Sequence, residues 1–272
     1  MAAMAVKAAM QYFQTGFSLL PETGWVDHYA LALNLTCGLI ESYSLTASFQ
    51  EAEELCHLVL SQAQSNLDKA KIYALMCYNS TLATQLDKTL EIGLQALKTL
   101  NISLEESPPE IIDIEQLRHL PKMTEPEKLA AMPILANMIS SAMITQSPLI
   151  VSVTYTMVAL SIKHGNCTKS PFGYVLYGHI LTMSRTDVAL GYRLGCLAID
   201  IMETFKPCEV ETMVLLQHNC LIRHFNEHAR QPLNDYPRIV QLGKETGDIE
   251  FGSYAVANYM ANILFVGELL AD

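Results

Sequence analysis

Residues 129–162 read LAAMPILANMISSAMITQSPLIVSVTYTMVALSI, 34 consecutive positions without a charged side chain. How this stretch is read decides the fold. A membrane-spanning helix needs about 20 mostly apolar residues in one run. Here Pro133, Asn137, Ser140, Ser141, Thr145, Gln146, Ser147 and Pro148 interrupt the run. Proline disfavours the helical backbone in the residue before it, so Ser147-Pro148 predicts a break. Two helices of about 16 residues remain, too short to span a bilayer and suited to burial in a helical stack.

The same reading extends outward. Val26, Ala30, Leu33, Cys37 and Ile40 recur at helical spacing, as do Ala52, Leu55, Val59 and Ala63. Ser48-Phe-Gln-Glu51 and Thr124-Glu-Pro-Glu127 have the capping-box form, Ser170-Pro171 places a cap before a first-turn proline, and Gly247-Asp248 reads as a stop followed by a new start. Strand signals are scarce, with Val151–Thr156 the main exception and no Asn-Gly or Asp-Gly turn. Helices are expected over 4–20, 26–44, 48–64, 67–84, 86–100, 126–145, 148–164, 171–183, 186–205, 208–228, 231–246 and 248–267. Similar lengths and short connections predict an all-α fold, an α-solenoid of antiparallel helix hairpins. The Glu- and Pro-rich stretch 101–125 predicts a linker between an N-terminal block, 1–100, and a C-terminal block, 126–272, stacked on it. Phe49–Val59 followed by Asp68–Leu100 has a tetratricopeptide-like rhythm, with Ala52 at the tight contact. Gly178 on one predicted helix and Ala189, Gly191, Gly195 and Ala198 on the next are small enough for close approach.

Composition narrows the function. Half the residues are apolar, ample for a core, and the formal charge is −11 from 17 basic and 28 acidic side chains. An acidic chain without a long basic run is not built for nucleic acid or an anionic membrane surface. Seven cysteines, an odd number without a CxxC pair, read as reduced thiols in a cytoplasmic protein, and the first 20 residues lack the uninterrupted apolar core of a signal peptide. Neither a phosphate-binding glycine loop nor a G-x-S-x-G elbow occurs.

One chemical motif stands out. His224-Phe-Asn-Glu-His228 fits H-x-x-E-H, which on a helix puts two imidazoles on one face beside a carboxylate, as in an inverted zinc-protease site. Such a zinc-dependent hydrolase would need a third ligand, for which Glu250 is a candidate, with His218 and Cys220 nearby. The alternative is an ordinary helical stretch with structural histidines. Met132, Met138, Met143, Met157 and Met183 read as core filling or an adaptable surface, and Tyr174, Tyr177, Tyr192, Tyr254 and Tyr259 as a groove lining or as packing. No residue is assigned a catalytic, cofactor-binding or metal-binding role.

Several ordered blocks resemble the helical region of large cyanobacterial-type multidomain signalling kinases. They are Tyr12–Gly16 with Leu19-Leu20, Trp25, Phe49–Glu53, Val59-Leu60 with Asp68–Ala70, Leu120–Met132, Ser161–Asn166, Gly191–Gly195, Phe225–His228 and Glu245–Glu250. In that family a serine/threonine kinase domain and an AAA-type predicted ATPase precede a tetratricopeptide-like segment, and GAF sensors with a histidine-kinase output follow. The resemblance implies a non-catalytic protein–protein interaction and signal-relay module whose partners are kinase, ATPase or sensor domains. Kinase and ATPase activity are not implied, because the residues that perform them are absent, and the stretch 101–119 looks shorter than the family's. The alternatives are a fragment of such a kinase without independent function and, further off, the zinc hydrolase. Without end caps, Met1–Leu20 and Asn258–Leu270 are where apolar surface is expected to be exposed.

Overall fold

The computed structural model describes residues 2–111, 113–206 and 208–267. Fourteen α-helices run through them, and no strand occurs among the described residues. They are α1 (Ala2–Ser18), α2 (Gly24–Asp27), α3 (Tyr29–Leu45), α4 (Phe49–Gln62), α5 (Asn66–Leu82), α6 (Leu86–Thr99), α7 (Ile114–Arg118), α8 (Pro126–Ile144), α9 (Leu149–His164), α10 (Ser170–Met183), α11 (Val188–Thr204), α12 (Glu211–Gln217), α13 (Tyr236–Thr246) and α14 (Ile249–Val266). The fold is all-α and solenoid-like, helices packing chiefly on their sequence neighbours. The break predicted at Ser147-Pro148 is real: α8 and α9 have 19 and 16 residues. No described helix is long and apolar enough to cross a membrane.

Packing divides the chain into two compact units, Met1–Leu104 with Glu125–Val153, and Glu105–Thr124 with Thr154–Asp272. This division differs from the three segments read in the sequence. Helix α8 packs on α5 and α6, where Met138 fills the space left by Gly93. The supposed linker contributes Ile114, Leu117 and Met123 to buried positions of the second unit. Asn166 holds it there. Its amide donates to the Leu117 carbonyl at 2.8 Å and accepts from the Tyr174 hydroxyl at 3.0 Å, while its backbone pairs with Pro121 and Met123.

In the first unit α3 packs on α1 and α4, α4 on α5, and α5 on α6. Leu33, Cys37 and Ile40 are buried as their spacing predicts, and so is Ala52. Val26 and Ala30 are not part of that stripe. Val26 is 80% exposed, because the chain turns at His28 and α2 is a separate short helix. Ser48 occupies the N-cap of α4 without a side-chain capping bond, and Glu125, rather than Thr124, occupies that of α8. Caps that do form are Ser65 on Asp68 N, Asp113 on Glu115 N, Asp187 on Leu190 N, and Asp248 on Phe251 N after the left-handed Gly247.

Five helices end in one kind of turn. Two residues past α3, α5, α6, α8 and α10, the chain enters the left-handed region at Ala47, Thr84, Asn101, Gln146 and Arg185, with φ between 52° and 60°. After the first four, the next N–H bonds back to a helix carbonyl five residues earlier, as from Gln85 to Ser80 at 2.8 Å. This is the Schellman closure that usually employs glycine. A β-branched residue is strained at such a φ.

In the second unit α10 and α11 make the closest pair. A Cβ on Gly178 would lie 2.6 Å from the Gly191 carbonyl oxygen, and one on Gly191 the same distance from that of Gly178. The backbones therefore touch, as the small residues predict. Gly178→Ala should destabilise the chain by about 1–3 kcal/mol through overpacking. Gly252→Ala, whose Cβ would meet its nearest atom at an ordinary 3.4 Å, should be neutral or stabilising by up to about 1 kcal/mol, since alanine favours helix. Urea denaturation of the two variants checks the contrast. Thr84→Gly should stabilise by about 1 kcal/mol by relieving the strained φ, read as a higher denaturation midpoint.

Candidate functional site

The H-x-x-E-H stretch does not lie on one helix face. The helix expected over 208–228 instead ends at Gln217, continues as a π-turn over His218–Ile222 and a 3-10 turn over Arg223–Phe225, and is over by Asn226. His224 stacks on Phe225 with ring centroids 4.3 Å apart, and the Nδ1 of His228 accepts from the Arg230 N–H at 3.3 Å. Glu227 faces other partners. It accepts from the Tyr192 hydroxyl at 2.8 Å and from Arg223 Nε and Nη2 at 2.9 and 2.6 Å. Glu250 sits in the first turn of α14 and accepts from the Tyr254 hydroxyl at 3.3 Å. Among the described residues no three His, Cys, Asp or Glu side chains gather as a metal site requires.

What the structure builds there is a saturated polar knot. Arg223 bonds Glu227 twice, Asn219 at 2.6 Å, and Asp235. The guanidinium holds the Glu227 carboxyl below its ordinary range, and the bond to Glu227 pushes the Tyr192 phenol up to about 12. Beneath lies His218, buried against Gly195, whose missing side chain makes its room: a Cβ there would meet Nδ1 at 2.5 Å. That nitrogen has no hydrogen-bond partner, and burial drives the imidazole down to about 4. The sequence reading missed the knot, although Arg223 and Glu227 stand at the i,i+4 spacing of a helical ion pair.

Met132, Met138 and Met157 are core residues, and so are Tyr174 and Tyr177, while Met183 and Tyr254 are exposed. All seven cysteines are free thiols, five of them buried.

A second feature lies on α14. Its inner face buries Phe251 and Ala255 against the rest of its unit. Its outer face is apolar too: Ile249, Val256, Met260 and Leu264 form one row, 46–64% exposed. An open groove of about 160 Å³ runs beside it, lined by Val240, Gly243, Lys244, Ile249, Gly252, Ser253 and Val256. In the first unit Tyr12 and Leu19 are similarly exposed. Tyr12, Leu19, Met260 and Leu264 fall in the two stretches where apolar exposure is expected, while Ile249 and Val256 lie before the second of them; the final residues, 268–272, lie outside the described ones. A helix apolar on all sides ordinarily has a neighbour on each.

Comparison with known proteins gives a setting. No protein-family model matches the chain. It is 19% identical, over 94% of its length, to the hybrid signal transduction histidine kinase G of Dictyostelium discoideum. It spans only 9% of that protein. The match supports a helical region related to part of a signalling kinase. The crystal structure of BtubC (BKLC) from P. vanneervenii superposes with a TM-score of 0.54 over 98% of this chain and 94% of that one, at 12% identity. That likeness shows the fold alone.

The buried imidazole sets a pH dependence. Folded His218 takes a proton only near pH 4, whereas the unfolded chain takes it near 6.5. Between these values protonation favours unfolding. The contribution of His218 is fully present above about pH 6.5 and is lost as the pH falls toward 4, on the order of 3 kcal/mol. His218→Gln should flatten the fall in urea midpoint between pH 6.5 and 4.5; a slope equal to that of the native chain would contradict this.

Proposed function

We propose that the chain is a non-catalytic interaction and signal-relay module of tetratricopeptide-like type. Its setting is that of multidomain kinases in which such a segment lies between an AAA-type ATPase and GAF sensors. The observation that carries the reading is the apolar outer row of α14. Covering what is still exposed of these four side chains contributes about 1 kcal/mol each, the apolar share of a contact whose remaining interactions must offset the cost of association. The similarity to a hybrid signal transduction histidine kinase supports the signalling context. The polar knot supports a role without bond-making. Its carboxylate and guanidinium are consumed by one another, which leaves neither poised as base or anion clamp.

The partners we assign are kinase, ATPase or sensor domains in a cytoplasmic setting, rather than nucleic acid or membrane. Affinity capture from the source organism's extract, with proteins identified by mass spectrometry, should recover one of these classes. The double variant Val256→Asp/Leu264→Asp should reduce that recovery by at least about tenfold, because it buries charge in the contact. Equal recovery by the variant, or none of these classes in repeated captures, would overturn the proposal, as would ATP hydrolysis by the purified chain alone.

A further inference from the structure

The chain contains three Ser-Pro steps, at Ser107, Ser147 and Ser170, and the structure treats them differently. Ser170 is buried in the first turn of α10, its hydroxyl 2.7 Å from that of Ser161 and accepting from Cys167 N at 2.9 Å. Ser147 is half-buried in the tight turn between α8 and α9, its N–H bonded to the Ala142 carbonyl. Ser107 is exposed, in a stretch without regular secondary structure between α6 and α7.

That stretch is strapped to the second unit on both sides of Ser107. The Glu105 N–H donates to Thr156 Oγ1 on α9 at 2.9 Å, and the Tyr177 hydroxyl on α10 donates to the Pro109 carbonyl at 3.4 Å. The Tyr177 ring stands edge-on to Tyr155, centroids 5.5 Å apart. Between the anchors the strap borders an open hollow of about 250 Å³, whose floor is Ala159 and Ile162. An acceptor serine is thus held out at a bend of the strap, its backbone kept away from the helical form by the following proline. A proline-directed kinase reads this arrangement, because its pocket for the next residue strands the N–H that any residue but proline would bring.

We propose that Ser107 is a phosphorylation site for a proline-directed serine/threonine kinase, and that the modification releases the strap from α9 and α10. Ser107 Oγ attacks the γ-phosphorus of a magnesium-bound nucleoside triphosphate. The Oγ–P bond forms, the bond from that phosphorus to the β,γ-bridging oxygen breaks, and the nucleoside diphosphate leaves with the electron pair. The hydroxyl proton passes to the kinase's catalytic carboxylate. The product brings a charge of about −1.5 to −2 beside Glu105, Glu106 and Glu110, and no basic side chain lines the hollow. The phosphate joins these carboxylates on one short segment against the apolar floor of Ala159 and Ile162, so crowding of like charge and lost hydration both weigh against the docked strap, and the bonds at Glu105 and Pro109 are the ones to open.

The full chain is incubated with a purified cyclin-dependent-type kinase and magnesium ATP, and phosphate is located by peptide mass spectrometry. Near-stoichiometric phosphate is expected at Ser107, falling to roughly a tenth or less in Ser107→Ala and in Pro108→Ala. Hydrogen exchange at the Glu105 amide should quicken about tenfold after phosphorylation. Absence of phosphate at Ser107, predominant labelling of Ser147 or Ser170, or full labelling of Ser107 in Pro108→Ala would overturn the assignment of the site. Unchanged exchange at Glu105 would overturn the release.

Discussion

Each helix of this protein must hide an apolar stripe, and the neighbour that hides it is for the most part the next helix along the chain. That constraint accounts for the short turns within α3 to α6, between α8 and α9 and between α10 and α11. It also accounts for the small residues where two backbones meet: with nothing larger than hydrogen at Gly178 and Gly191, α10 and α11 come into backbone contact. Larger side chains there would push the pair apart and loosen what packs on it, including α12. A helix with apolar residues to spare, such as α14, is left with a row that its own unit does not cover.

Much of this was legible in the sequence, for a physical reason. Amphipathic periodicity, caps and prolines are local signals, and they placed α3 to α6 and α8 to α11 within a few residues. Pairing is not local. Nothing in the uncharged run 129–162 says that its first half packs on α5 and α6. Nothing in the Glu- and Pro-rich stretch says that Asn166 gathers it in. The turns were hard to read for another reason: five of them use alanine, threonine, asparagine, glutamine or arginine where a left-handed backbone advertises glycine.

The candidate metal motif shows how spacing misleads when its assumed geometry fails. H-x-x-E-H has meaning only on a continuous α-helix, and here the chain has passed from a π-turn into a 3-10 turn over Arg223–Phe225 and is no longer helical from Asn226, so that register never forms. The same irregularity lets Arg223 reach Asn219, Glu227 and Asp235 together, so the carboxylate of the motif serves the fold. Tyr192 and Asp235 join from other parts of the chain, which no window of sequence reveals.

The glycine-free turns have an energetic corollary. A non-glycine residue in the left-handed region carries about 1–2 kcal/mol of torsional cost, which vanishes when the turn straightens into helix. Opening a hairpin at any of these corners recovers part of what its lost contacts forfeit. Two molecules that trade hairpins through such a corner keep the contacts and shed the cost, so entanglement between copies at high concentration is a hazard written into the bends rather than into the helices.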